Sequence, residues 1–273
     1  MRSRLLRRVA AVTLAVAIGA AGTTEPAQAA SQKSDMSLQA FDWVTAVVAI
    51  AGSAIAGGGS SDEFEAAVQQ IIAAVEASKI EMLNHIDAIA SADVQACARS
   101  HTVEFSDINN MSPSVRQLWA QEATRCASLA AAYLDAVQSK QATDNIGGVI
   151  GPIYAIAIAA RAKAGLVNGI DLLLRDQIRS YETVVTKLAP VCEEQRVVER
   201  DIDNRIVMIE IQYSCVAYNG DTGYGTEFWR RGTILVGRPL DRAAVENYAT
   251  RNISRAVAQD ALPRLRSALP GLV

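Results

Sequence analysis

From Ile146 to Ala160 the chain runs through 15 residues without a charge, and the segment VIGPIYAIAIAARAKAGL (149–166) holds only Arg161 and Lys163 as charged groups. A bilayer-crossing helix needs about 20 apolar residues, so the run is short for a span. Gly147, Gly148, Gly151 and Pro152 also occupy its beginning. A helix apolar on every side belongs either inside a bundle or in a membrane. The length favours the core of a bundle, and it requires other helices with apolar faces to enclose it.

Those helices are legible on either side. Phe64, Val68, Ile71, Val75, Met82, Ile86 and Ile89 recur at three- and four-residue steps, which predicts one long amphipathic helix over roughly 62–98. Ser60 with Glu63 gives it a capping box. SHTVEFSDINNM interrupts the pattern, and Ser112-Pro113 restarts it as an N-cap followed by proline at the first helical position. Val115, Leu118, Trp119, Cys126, Leu129, Tyr133 and Val137 carry the next stripe to about 139, with Glu122 as its one charged interruption. The segment 144–190 reads as one long helix or two joined by a kink, with Asp144 as its cap and Pro190 as its stop. A first apolar helix lies in the uncharged stretch between Asp42 and Asp62, where Gly57 to Gly59 read as its end.

The first 30 residues have the three parts of an export signal. Arg2, Arg4, Arg7 and Arg8 form a basic head, Val9 to Ala21 an apolar run too short to span, and Ala27-Gln28-Ala29 a small-x-small cleavage site. Their removal takes four arginines and Glu25 from 26 basic and 29 acidic residues, leaving 22 against 28. A surface that acidic argues against a nucleic-acid partner. Cys97, Cys126, Cys192 and Cys215 remain, an even number in an exported chain and none in a CxxC pair, which predicts two disulfides. Three pairings are open; Cys97 with Cys126 and Cys192 with Cys215 keeps each bridge inside one structural block.

Beyond Pro190 the texture changes. NRIVMIEIQYSCVAYN alternates and is rich in Val, Ile and Tyr, GDTGYG supplies a turn, and TEFWRRGTILVG returns as the second strand of a hairpin. A last helix over about 241–268 carries Val245, Tyr248, Ile253, Val257, Leu262 and Leu265, with Pro263 expected to kink it or end it early. The expected fold is mainly α: a long-helix antiparallel bundle over 31–189, after a cleaved 1–30, followed by a small α+β unit over 190–273 made of a β-hairpin and a C-terminal helix.

No catalytic or cofactor motif names a reaction. GxSxG is absent, and both histidines, His85 and His101, have structural explanations. His101, Glu104 and Asp107 would bind a metal only if a loop folded them inward. Glu193-Glu194 and Asp201-Ile202-Asp203 read as a solvated linker, and neither DIDN nor NGDTGYG matches a calcium loop with its closing Glu. Tyr213, Tyr218, Tyr224, Phe228 and Trp229, by contrast, gather much of the chain's aromatic content in the hairpin. Tyr218, Tyr224, Phe228 and Trp229 are the candidate recognition surface for a protein or glycan.

SKIEMLNHIDAIASADVQACA (78–98), together with the Ala-rich signal, resembles secreted proteins of unassigned function from high-GC actinobacteria, which implies a location more than an activity. In arrangement the bundle is similar to helical pore-forming toxin domains, in which a water-soluble bundle hides an apolar helix. Two functions are therefore expected in competition. The first is a secreted, disulfide-stabilised binding protein acting through its C-terminal hairpin. The second is a membrane-active protein that inserts 43–61, 146–160 or both into lipid.

Overall fold

The computed structural model describes residues 42–55 and 61–269. The expected export signal, Gly57 to Gly59 and the expected Ser60–Glu63 capping box lie outside what it describes. The fold is mainly α, with eight α-helices and one four-stranded antiparallel sheet among the described residues.

At the centre is α5 (Lys140–Lys163), preceded by α1 (Trp43–Ile55), α2 (Ser61–Asp87), α3 (Ala92–Glu104) and α4 (Pro113–Ala136), and followed by α6 (Ile170–Lys187). Every residue from Val149 to Ala160 is buried, because α1, α2, α3, α4, α6 and the last helix, α8 (Ser254–Ala268), all pack around α5. The uncharged run is thus bundle core. Its glycines mark the closest approaches: a Cβ on Gly151 would lie 2.7 Å from the Tyr181 hydroxyl, and one on Gly147 would strike the Ser254 side chain. Pro152 is accommodated within the helix.

Several boundaries differ from the sequence reading. The helix expected over 62–98 is two helices, because the chain turns at Ala88–Ser91 and the Ser91 hydroxyl accepts the Val94 N–H to start α3. α3 then runs on through His101, and a 3-10 turn, Phe105–Asn109, buries Phe105 and Ile108 completely where a loop was expected. Ser112 is the N-cap residue of α4 and Pro113 its first residue, as expected, but Val115 and Leu118 lie 52% and 62% exposed rather than in the core stripe. Asp144 does not cap α5. Ser139 does, through its hydroxyl and the Ala142 N–H, and Asp144 lies one turn inside the helix. α5 and α6 are separated by a turn in which Gly165 and Gly169 take positive φ of 72° and 87°, a conformation that favours glycine.

The C-terminal strands form a meander, β1 (Val191–Arg200), β2 (Ile206–Val216), β3 (Thr222–Arg230) and β4 (Ile234–Val236), paired in that order. The sequence reading had β1 as a charged linker. Its Glu and Arg residues are exposed and charge an edge strand, a known guard against edge-to-edge aggregation. GDTGYG is only half a turn, since Gly223 and Gly225 lie within β3. They are needed there: a Cβ on Gly223 would overlap the carbonyl oxygen of Val245, and one on Gly225 would come within 2.6 Å of Leu240 Cδ1. The helix resting on them is α7 (Arg242–Ala249). The long C-terminal helix of the sequence reading is therefore α7 on the sheet and α8 in the bundle, separated at Thr250–Ile253; Pro263 does not end α8, which continues to Ala268.

Two disulfides bolt these parts. Cys97 on α3 bonds Cys126 on α4, and Cys192 bonds Cys215 directly across β1 and β2. These are the pairings that keep each bridge within one block.

Candidate interaction surface

Strand register assigns every sheet residue to one of two faces, because directly opposed residues in antiparallel strands point to the same side. Cys192, Cys215 and Gly223 are opposed, as are Glu194, Tyr213 and Gly225, then Arg196, Ile211 and Glu227, then Val198, Ile209 and Trp229. This face carries the glycines against Leu240 and Val245, so it is the face covered by α7 and the segment before it. It is fastened by polar contacts. The Arg242 guanidinium donates to Glu194 Oε2 at 2.6 Å, and the Tyr213 hydroxyl donates to Glu246 Oε1 at 3.0 Å. Glu227, 8% exposed, accepts the Leu240 N–H at 2.7 Å and the Trp229 Nε1–H at 2.5 Å. Those two donors hold its carboxyl below the usual carboxylate range.

The opposite face has no such cover. In successive rows it presents Glu193, Ser214 and Tyr224; Gln195, Gln212 and Thr226; Val197, Glu210, Phe228 and Val236; and Glu199, Met208, Arg230 and Ile234. Tyr224 is 61% exposed, and Val197, Phe228, Ile234 and Val236 are all exposed as well. Four apolar side chains from three strands thus share one end of the open face. Contiguous exposed apolar area of this kind is what marks interaction sites on soluble proteins.

The four aromatic residues singled out in the sequence are divided by this geometry. Tyr224 and Phe228 lie on the open face. Trp229 is on the covered face, bound to Glu227, and the half-buried Tyr218 donates its hydroxyl to Asp144 Oδ2 at 2.5 Å, tying the sheet to α5. Sequence reasoning missed Val197, because β1 was not recognised as a strand, and missed Ile234 and Val236, because nothing local shows which way a three-residue strand faces.

Away from the sheet, a groove of about 580 Å³ runs between α3 and α4. His101 and Glu104 line it with Trp119; Asp107 does not. The His101 Nδ1 donates to the Cys97 carbonyl at 2.7 Å, and Glu104 accepts the Trp119 indole N–H at 2.8 Å. Nothing folds His101, Glu104 and Asp107 into one site. Among the described residues no three His, Cys, Asp or Glu side chains converge to hold a metal ion. His85 lies beside Gly148 at the α2–α5 contact, its Nδ1 3.7 Å from where a Cβ would be. Glu194 belongs to the Arg242 pair, while Asp201 accepts the N–H groups of Asp203 and Arg205 and so builds the β1–β2 turn.

No protein-family model, no curated protein and no solved structure matches this chain.

Proposed function

We propose that the exported chain is an extracellular interaction protein that recognises a protein surface through the open face of its C-terminal sheet. The observation that carries this reading is the row of exposed apolar side chains, Val197, Phe228 and Val236 with Ile234 beside them, held rigidly by a sheet whose other face is pinned by α7. The two disulfides fit an oxidising, extracellular setting. A rigid, pre-organised surface binds without the entropic cost of ordering. Tyr224, apolar in body and polar at its tip, suits a partly wet interface.

Photo-crosslinking tests it. Benzoylphenylalanine replaces Tyr224 in one sample and Leu172, a 65% exposed residue of the bundle, in another, and each is irradiated alone and in the culture filtrate of the producing cells. Adducts from position 224 and none from 172 are expected. Equal adducts from both, or none from either, would overturn the reading.

The membrane-active reading has less behind it. α5 is the one helix among the described residues long and apolar enough to cross a bilayer, yet 83% of its most apolar window is buried. Gly147 and Gly151 are accounted for by contacts with Ser254 and Tyr181. Insertion would have to strip all six surrounding helices from it.

A further inference from the structure

We infer that the partner of the open sheet face is a second copy of this chain, packed face to face about a two-fold axis that runs along β2. The inference rests on the open-face reading above and supplies the occupant.

It comes from the symmetry of the register. β1 and β3 flank β2, so residues opposed through β2 lie at equal distances on either side of it. Glu199 and Arg230 are such a pair, flanking Met208, and Val197 and Phe228 are another, flanking Glu210. A two-fold axis lying along β2 between the two facing sheets exchanges the β1 and β3 positions. It sets Glu199 against the second copy's Arg230 and Val197 against its Phe228, each contact occurring twice, as an isologous interface requires. Both charges are unspent within the chain: Glu199 and Arg230 are exposed, and neither side chain has a hydrogen bond or ion pair with a described residue. The face therefore carries its own complement, acid on β1, base on β3, and apolar side chains in the adjoining row. Long Glu and Arg side chains reach across the roughly 10 Å that separates packed sheets. One contact in this arrangement is unfavourable. Glu210 lies on the axis and meets its own copy, with Gln212 Nε2 donating to it at 2.9 Å.

That combination gives the interface a signature. Analytical ultracentrifugation of the oxidised chain from residue 31 at neutral pH should show a dimer at about 100 µM. Arg230→Glu should weaken it by at least about tenfold, the double variant Glu199→Arg/Arg230→Glu should recover most of the loss, and Glu210→Gln should tighten it severalfold. All three residues lie at the sheet surface, and circular dichroism verifies the fold of each variant. A wild-type chain that stays monomeric overturns the inference, and so does a dimer indifferent to Arg230→Glu or not rescued by the double swap. A monomer that still crosslinks a foreign protein from position 224 would sink the dimer and leave the open-face reading standing.

Discussion

Asp144 on α5 accepts the backbone N–H of Ser254, the first residue of α8, at 2.6 Å through Oδ1. Ser254 is 110 positions further along the chain. The same carboxylate takes the Tyr218 hydroxyl on Oδ2, so one side chain joins the central helix, the sheet and the last helix. The first N–H groups of a helix have no partner within it. Asp144, expected to cap its own helix, supplies one for another.

Asp144→Ala should therefore cost about 1–3 kcal/mol, the range for a half-buried carboxylate whose two donors lose their acceptor. Urea unfolding followed by circular dichroism measures it. Asp144→Asn keeps an oxygen for one donor and should fall between wild type and the alanine variant.

Tyr154 and Tyr181 are fully buried on the α5–α6 contact, and burial raises both phenols far above the ordinary value; for Tyr154 the hydrogen bond to Asp176 adds to it. Tyr218 shifts the same way, by burial first and then by its bond to Asp144. The unfolded chain would ionise these groups near pH 10, and the folded chain keeps them protonated. Above that pH the unfolded state binds fewer protons than the native one, so stability falls as pH rises, by about 1.4 kcal/mol per unit for each buried tyrosine. Absorbance at the tyrosinate band should rise in step with loss of helix for these three.

The close seating of α7 on β3 predicts that Gly223→Ala is costly. The obstacle is the backbone carbonyl of Val245, which has no rotamer to change. Overpacking of this kind costs about 1–3 kcal/mol, visible as a lowered melting temperature. Gly220→Ala at the β2–β3 turn meets no atoms, so any loss there comes from its positive φ of 87° alone.

The Cys192–Cys215 bridge holds an edge strand that buries little of its own surface. Replacing both cysteines with alanine should release β1 first, seen as faster hydrogen exchange at 191–200 while α5 amides stay protected. Loss of the Cys97–Cys126 bridge acts on the bundle instead, at about 3–4 kcal/mol for a loop of that length.

With α5 enclosed by six helices, the folded, oxidised protein should leave dye-loaded neutral and anionic liposomes intact between about pH 5 and 8. Leakage from a sample with native circular dichroism would restore the insertion reading. Ala157→Asp, which places a charge at a fully buried position, should prevent folding altogether.

The sequence by itself determined the helical class, the buried rank of the run from Ile146 to Ala160, the start of α4 at Ser112-Pro113 and the strand character of 206–216. Each of these is a local signal: an uncharged stretch, a cap, an alternation. Tertiary structure decided what no window of residues carries. β1 has Glu, Gln or Arg at six of its ten positions and reads as a linker until its pairing with β2 and the Cys192–Cys215 bridge are seen. Gly223 and Gly225 look like turn residues until α7 rests on them, and Asp144 looks like a cap for its own helix until Ser254 arrives. Tyr224 and Trp229 are five residues apart in one strand and so point to opposite faces of the sheet, but which of those faces stays open depends on where α7 packs. Hydrophobic period and capping act within a few residues of chain, whereas register, helix seating and the covered side of a sheet are contacts between segments distant in sequence, and only the folded chain brings those together.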